Sequence, residues 1–229
     1  MKAKASSGSQ LLGEYKERGE YHRNLDKGWA FYHIYKRKMD IVERFLDSLP
    51  AMSSVLDAGC GEGLLVEKFS GRLSMKGIDE NYSSSLVSKG SITSLPFKAG
   101  SFDAVLVLDV LEHLAYSAQE KAVQEAWRVL KKGGKLVVSV PNLAHMLSRL
   151  KFLFKGEFIR TSNIRKHIGD RPLKEYARLV ESSGFSIERV IGIPDPKRSM
   201  GLHPMLGRFP GMCLEGVIMA TKRPSLTNR

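Results

Sequence analysis

Val55-Leu-Asp-Ala-Gly-Cys-Gly-Glu-Gly63 (VLDAGCGEG) carries a short apolar run through three alternating glycines into a helical stretch. Glycines let a backbone turn tightly and approach a ligand closely. The helix beginning beyond them offers free N–H groups to an anion such as a carboxylate. Dinucleotide-binding turns use G-x-G-x-x-G in the same place. Here the spacing is G-x-G-x-G, and Leu64-Leu65 stand where a third dinucleotide-type glycine would be needed. The turn also begins with Asp57, whose carboxylate repels a pyrophosphate and suits an ammonium group. Asp57, Gly59, Cys60 and Gly61 are therefore candidate ligand-lining residues. The competing reading is a tight strand-to-helix turn with no ligand.

A second marker lies downstream in Gly77-Ile78-Asp79. An acid at the end of a second strand can accept both hydroxyls of a ribose. It can equally cap a helix starting at Asn81. Around these markers the chain alternates strands and helices. Apolar residues at helical spacing over Gly28–Leu49 predict a long N-terminal helix stopped by Pro50. Strands are expected at Ser53–Asp57, Leu73–Asp79, Ser91–Thr93, Phe102–Leu108 and Lys135–Val140. Helices are expected at Glu62–Ser70, Tyr82–Ser88 and Ala118–Leu130, the last ending in Lys131-Lys132-Gly133-Gly134. Phe102–Leu108 is strongly apolar and rich in valine, as in a buried parallel strand. Further on, Leu143–Phe154 reads as a basic amphipathic helix and Leu173–Ser183 as another helix. Phe185–Ile193 and Met212–Lys222 read as strands, separated by a loop over 194–211. This β-α-β-α order predicts an α/β, doubly wound, mostly parallel sheet with right-handed crossovers.

Length and composition suit one such domain. The 229 residues are 42% apolar and 26% charged. No segment approaches the roughly 18 uninterrupted apolar residues of a membrane span. Two cysteines, Cys60 and Cys213, argue against a disulfide framework or a zinc site. The N-terminal stretch lacks the apolar segment of a secretory signal, so a cytoplasmic location is expected. The net charge is +12, yet residues 51–140 hold ten Lys/Arg and ten Asp/Glu. The excess flanks the core and is densest at 141–171, with seven basic and two acidic residues. Such charge attracts an anionic acceptor, a membrane surface or RNA, or simply keeps the surface solvated. The chain divides into an N-terminal helical cap (1–50), a core (51–141), a basic lid (142–171) and C-terminal helix and strands (172–229).

VLDAGCGEG, GID, SLPFKAGSFDAVLVLDVLEHL and RVLKKGGKLVVSVPN together resemble the class I S-adenosylmethionine (SAM)-dependent methyltransferases, in particular the UbiE/UbiG-like small-molecule group. The resemblance covers residues 53–142 closely and KHIGDRPLKEYARLVESSGFSIE more loosely. It implies a Rossmann-like seven-stranded sheet with an antiparallel last strand near Met212–Lys222, helices on both faces, and SAM as cofactor. By the same resemblance Asp57, Gly59 and Gly61 line the methionine end, with Cys60 between the glycines. Asp79 meets the ribose, Ile92 flanks adenine, and Leu108 and Asp109 sit beside the cofactor. Many relatives carry an Asp at the start of the third strand to contact adenine. Ser91 stands there in this chain, so backbone groups must do more.

The transfer itself needs an acceptor aligned with the methyl group and shielded from water. A general base helps a hydroxyl acceptor, and His113, just past the fourth strand, is the candidate. It can also merely brace its loop. Asp109, Glu112 and His113 match the E-x-x-E-H pattern of metal-dependent relatives with Asp in first place, and His167 lies downstream. Metal-free relatives share D-V-L-E-H, and no metal is assigned. Trp29, Phe31, Tyr32 and Arg37 of the N-terminal helix are candidates to cover the cofactor or bind the acceptor, against ordinary helix packing. The basic, apolar Leu143–Lys155 reads as a lid or as a helix on an anionic membrane surface. The expected function is methyl transfer to a small-molecule or lipid-like acceptor at oxygen or carbon. RNA methylation and a non-catalytic SAM-binding module are the rivals.

Overall fold

The computed structural model describes residues 10–12, 15–16, 19–20, 22–160, 166–195 and 203–223. Among these described residues, nine strands form a two-stranded and a seven-stranded sheet. The strands are β1 (Gln10–Leu11), β2 (Ser54–Ala58), β3 (Ser74–Asp79), β4 (Tyr82–Ser83), β5 (Val87–Lys89), β6 (Phe102–Leu108), β7 (Leu130–Pro141), β8 (Phe185–Ile193) and β9 (Glu215–Lys222). Helices are α1 (Tyr32–Ser48), α2 (Leu64–Phe69), α3 (Tyr116–Val129), α4 (Met146–Lys155), α5 (Leu173–Ser182) and the short α6 (His203–Leu206). The large sheet runs β5-β3-β2-β6-β7-β9-β8. The first five strands in that order pair in parallel, and β9 is antiparallel to both β7 and β8. This is the Rossmann-like methyltransferase sheet, with the antiparallel last strand where the sequence put it.

Alternation along the central strands feeds two apolar layers. Leu56, Val105, Val107, Leu136 and Val138 face one side and pack with Ala122, Val123 and Ala126 of α3 and with Tyr176 and Val180 of α5. Val55, Ala104, Leu106, Val137 and Val217 face the other and pack with Ile34, Val42 and Leu46 of α1 and with Leu65 and Phe69 of α2. A strand covered on both faces is apolar at nearly every position. That is why Phe102–Leu108 was legible as a strand. α1 ends against Arg72, which donates to the Leu46 and Leu49 carbonyls and places a cation at the helix C-terminus.

Two local expectations are corrected. Tyr82–Ser88 is not a helix but a tight reversal between β4 and β5, closed by Ser84 N–H donating to the Val87 carbonyl at 3.0 Å. The third strand of the parallel set is Val87–Lys89, whereas Ser91–Thr93 forms a turn with the Ser91 and Thr93 hydroxyls 3.0 Å apart. Serine hydroxyls compete with helical backbone bonds and favour such turns. From β2 the chain crosses to β3 on one side, and it later returns to β6 on the other side of β2. That reversal of winding opens a crevice at the C-terminal ends of β2 and β6, the usual ligand position in open α/β sheets.

Candidate active site

The glycine loop lies in this crevice between β2 and α2. Gly59 and Cys60 N–H groups donate to the Ile78 carbonyl at 2.8 and 3.1 Å. Gly61 N–H donates to Asp79 Oδ2 at 2.9 Å. Gly59 and Gly61 have φ of +85° and +53°. A Cβ on Gly59 would collide with the Val110 side chain, and one on Gly61 with the Tyr15 hydroxyl. Both positions require glycine by conformation and by space.

Asp57 stands at the base of the loop, 3% exposed. Its Oδ1 is buried and has no hydrogen-bond partner among the described residues. Burial, and secondarily the Asp79 charge, pushes its carboxyl up to about 7. Asp79 Oδ1 accepts the Asn81 and Tyr82 amides at 2.8 and 3.0 Å. Asp79 therefore caps the following turn and fixes the glycine loop, and of its roughly four lone-pair sites one, on Oδ2, is left for a further donor. The Cys60 thiol is pushed well above its ordinary value, first by burial and then by Asp57. It is a neutral packing group against Tyr15, Tyr82 and Val87.

An N-terminal arm covers the loop. β1 pairs antiparallel with β4. The Tyr15 ring lies 5.3 Å from that of Tyr82, whose hydroxyl donates to Glu20 Oε1 at 2.5 Å. The amides of His22 and Arg23 donate to the two carboxylate oxygens of buried Glu62, each at 2.8 Å. The sequence offered Trp29, Phe31 and Tyr32 either for such a cover or, in preference, for ordinary helix packing. In the structure Trp29 is 44% exposed with its ring edge against Phe31, while Tyr15 and His22 meet the loop. Tyr15, Glu20 and Glu62 were missed because their contacts join segments distant in sequence.

Leu108 ends β6, and Asp109 follows it in a left-handed conformation with φ +53°. The Asp109 amide donates to both the carbonyl and the hydroxyl of Ser139, each at 3.1 Å. Ser139 Oγ donates back to Asp109 Oδ1 at 2.6 Å. Asp109 Oδ2 is paired with Lys38 of α1, whose Nζ also lies 3.1 Å from Glu215 Oε1 at the start of β9. Burial alone would lower the Lys38 pKa, but Asp109 and Glu215 outweigh it and hold the ammonium above its ordinary value. Burial likewise pushes Asp109 up, yet Lys38 and Ser139 keep it below the usual carboxylate range. Glu215 is pushed up to about 7 by burial, partly offset by Lys38. Val110, next in the chain, is the side chain that crowds Gly59, so this edge and the glycine loop adjoin. Lys38 was missed, although its place on the stripe Ile34, Lys38, Val42, Leu46 marks a lysine in need of a buried carboxylate.

Ile92 is buried in the apolar layer with Leu95 and Phe102. His113 lies in a single 3-10 turn, Leu111–His113, and is exposed. Its Nδ1 is 3.0 Å from the Lys166 carbonyl, and its ring meets that of His167 edge-on at 4.8 Å. Glu112, His113 and His167 each bring a ligand atom within 4.8 Å of the others. Glu112 is buried, its carboxyl pushed well above its ordinary value by burial and then by Asp109, and its Oε2 has no hydrogen-bond partner among the described residues. These three residues could share a divalent ion. Asp109, the first position of the sequence pattern, is engaged by Lys38 instead.

Residues 56–138 match the family model described as a methyltransferase domain. A Mycolicibacterium smegmatis protein named as a probable S-adenosylmethionine-dependent methyltransferase is 29% identical over 202 residues, covering 83% of this chain and 73% of that one. The tRNA (carboxymethyluridine(34)-5-O)-methyltransferase of Schizosaccharomyces pombe is 34% identical over 51% of this chain and 54% of its own. The mitochondrial ubiquinone biosynthesis O-methyltransferase of Mus musculus is 30% identical over 61% of this chain and 43% of its own. The chain thus spans about half or less of the last two relatives. A SAM-dependent methyltransferase structure from Methanosarcina mazei superposes with a TM-score of 0.57 at 22% identity, covering 78% of this chain and 96% of that one. Motifs, sheet order and relatives agree: the chain is a class I SAM-dependent methyltransferase, a transferase with S-adenosyl-L-methionine as its cofactor. By their names, one of these relatives methylates a tRNA and the other is an O-methyltransferase of ubiquinone biosynthesis.

Proposed function

We propose that this enzyme methylates a small, lipid-like acceptor at oxygen or carbon, working beside an anionic membrane surface. One observation carries the acceptor class. In α4, beyond the C-terminal end of β7, Leu153 and Phe154 are 74% and 80% exposed, with Leu150 and Phe152 also exposed and Phe158 exposed just past the helix. The Phe152 and Phe158 rings stack at 4.5 Å. Arg149, Lys151 and Lys155 share the helix. An exposed apolar patch of this kind, rimmed by cations, suits a lipid headgroup boundary. Among the described residues no helix is long and apolar enough to cross a membrane.

The site residues fit SAM. The partnerless Asp57 Oδ1 suits the ammonium of the methionine moiety, the amides at the start of α2 suit its carboxylate, and Asp79 suits the ribose hydroxyls. Bound there, SAM supplies a methyl group on an already activated sulfonium. Leu108 and Asp109 border it, and Ile92 supports the adenine side from within the core. The arm with Tyr15 excludes water from the loop. His113 takes the proton of a hydroxyl acceptor in this reading. The second reading is RNA methylation, favoured by the net charge of +12 and by the tRNA methyltransferases among the relatives. Incubating the protein and methyl-tritiated SAM with an extract of the source cell tests the two. Label in the solvent-extractable lipid fraction supports the proposal, and label in RNA overturns it.

A further inference from the structure

We propose that Lys38 is a positioning residue of the methyl-transfer site, fixing the Asp109 carboxylate at the edge of the cofactor crevice from the N-terminal helix. The inference rests on the reading that Asp109 borders SAM.

The geometry makes Lys38 a poor choice for packing alone. It is 3% exposed on the buried stripe of α1, where Ile34, Val42 and Leu46 serve the apolar layer. A buried ammonium loses its hydration, and an apolar side chain of similar volume is often as stable or more so. Lys38 reaches past that layer to Asp109 and Glu215. Three elements distant in sequence therefore converge on one ammonium: α1, the end of β6 and the start of β9. Asp109 is itself held in a conformation that L-residues rarely adopt, which persists only where the surroundings over-determine it. Ser139 holds its amide and Oδ1, and Lys38 holds Oδ2. The side chain nonetheless remains 38% exposed, so it is restrained from behind and open in front.

The groups facing this pair are Tyr35 and Lys38 on α1, Asp109, Glu112 and His113 beyond β6, and Glu215 on β9. Lys38 is the buried cation among three carboxyls. Without it, Asp109 loses the cation that holds it low and its carboxyl rises toward the range Glu215 already occupies at about 7.

The test is SAM affinity by calorimetry at pH 8 and pH 6, with melting temperatures, for the full wild-type chain, Lys38→Met and Glu215→Gln. Wild-type binding of SAM establishes the cofactor reading, and its failure would end that reading before any variant is compared. In Lys38→Met the ratio of Kd at pH 6 to Kd at pH 8 is expected to exceed the wild-type ratio by about tenfold, equivalent to one unit of pKa. Glu215→Gln removes a competing carboxylate and is expected to give a ratio at or below that of wild type. A Lys38→Met protein that melts lower but keeps the wild-type affinities at both pH values makes Lys38 a core residue only and overturns the proposal. Where Lys38→Met does not fold, Lys38→Arg and Glu215→Gln decide. Retained affinity at both pH values in Lys38→Arg with a ratio at or below wild type in Glu215→Gln supports it. A ratio raised above wild type in Glu215→Gln overturns it.

Discussion

Asp79 accepts the Gly61 amide at 2.9 Å, so the acid at the end of β3 holds the glycine loop that it flanks. Asp79→Asn keeps one acceptor oxygen for the three amides, turns the other into an NH2 donor and loses the charge. Hydrogen bonds to charged groups contribute about 1.5–3 kcal/mol. SAM affinity in this variant is expected to fall about 10- to 100-fold. Unchanged calorimetric affinity would remove Asp79 from the cofactor set.

Asp57 gives a prediction in pH. Its folded-state pKa is raised to about 7 from 3.8, so folding binds a proton more tightly than the unfolded chain does. The ligand-free protein therefore loses stability as pH rises from the ordinary carboxylate range through about 7. Asp57→Asn escapes this loss. Its melting temperature is expected to exceed that of wild type by several degrees at pH 8, with the gap closing as pH falls toward about 4. SAM binding is expected to weaken at the same time, since the ammonium loses its carboxylate. A variant that melts below wild type at pH 8 would contradict this account of the loop.

Gly59→Ala meets both the Val110 side chain and a φ of +85°. Such strain costs about 1–3 kcal/mol. Lower thermal stability together with loss of SAM binding is expected. Pairing it with Val110→Ala should recover part of the stability, because the collision is then relieved while the backbone strain persists.

His113 and chelation form one experiment. His113→Ala is expected to lower kcat about 100-fold with SAM affinity retained, as for a general base. Full activity of wild type in excess EDTA is expected, because no metal is assigned. Activity lost in EDTA and restored by a divalent ion would instead turn Glu112, His113 and His167 into an ion site and replace the base.

For the exposed helix, Leu153→Asp with Phe154→Asp should leave the melting temperature within about a degree of wild type, since neither side chain is buried. Sedimentation with vesicles containing phosphatidylglycerol should fall several-fold. Equal sedimentation of variant and wild type would detach α4 from the membrane reading.

Much of the fold was legible in the sequence for physical reasons. Phe102–Leu108 is apolar at nearly every position because helices cover both faces of the sheet, and Phe185–Ile193 was bounded without error. Tyr82–Ser88 misled because its conformation is set by partners outside the segment. β1 pairs with Tyr82–Ser83 and β3 pairs with Val87–Lys89, neither of which local spacing reveals. The glycine loop was readable as a local motif, whereas Lys38 finds its acid 71 positions away. A lysine on an apolar stripe announces that a partner exists. Only the folded chain names Asp109 and Glu215 as that partner.

The most direct test of the account is a pair of calorimetric titrations of the full chain, one with SAM and one with NAD. The G-x-G-x-G spacing, the orphaned Asp57 oxygen and Asp79 together call for saturable binding of SAM at a single site and no binding of NAD. Saturable binding of NAD, with none of SAM, would contradict it.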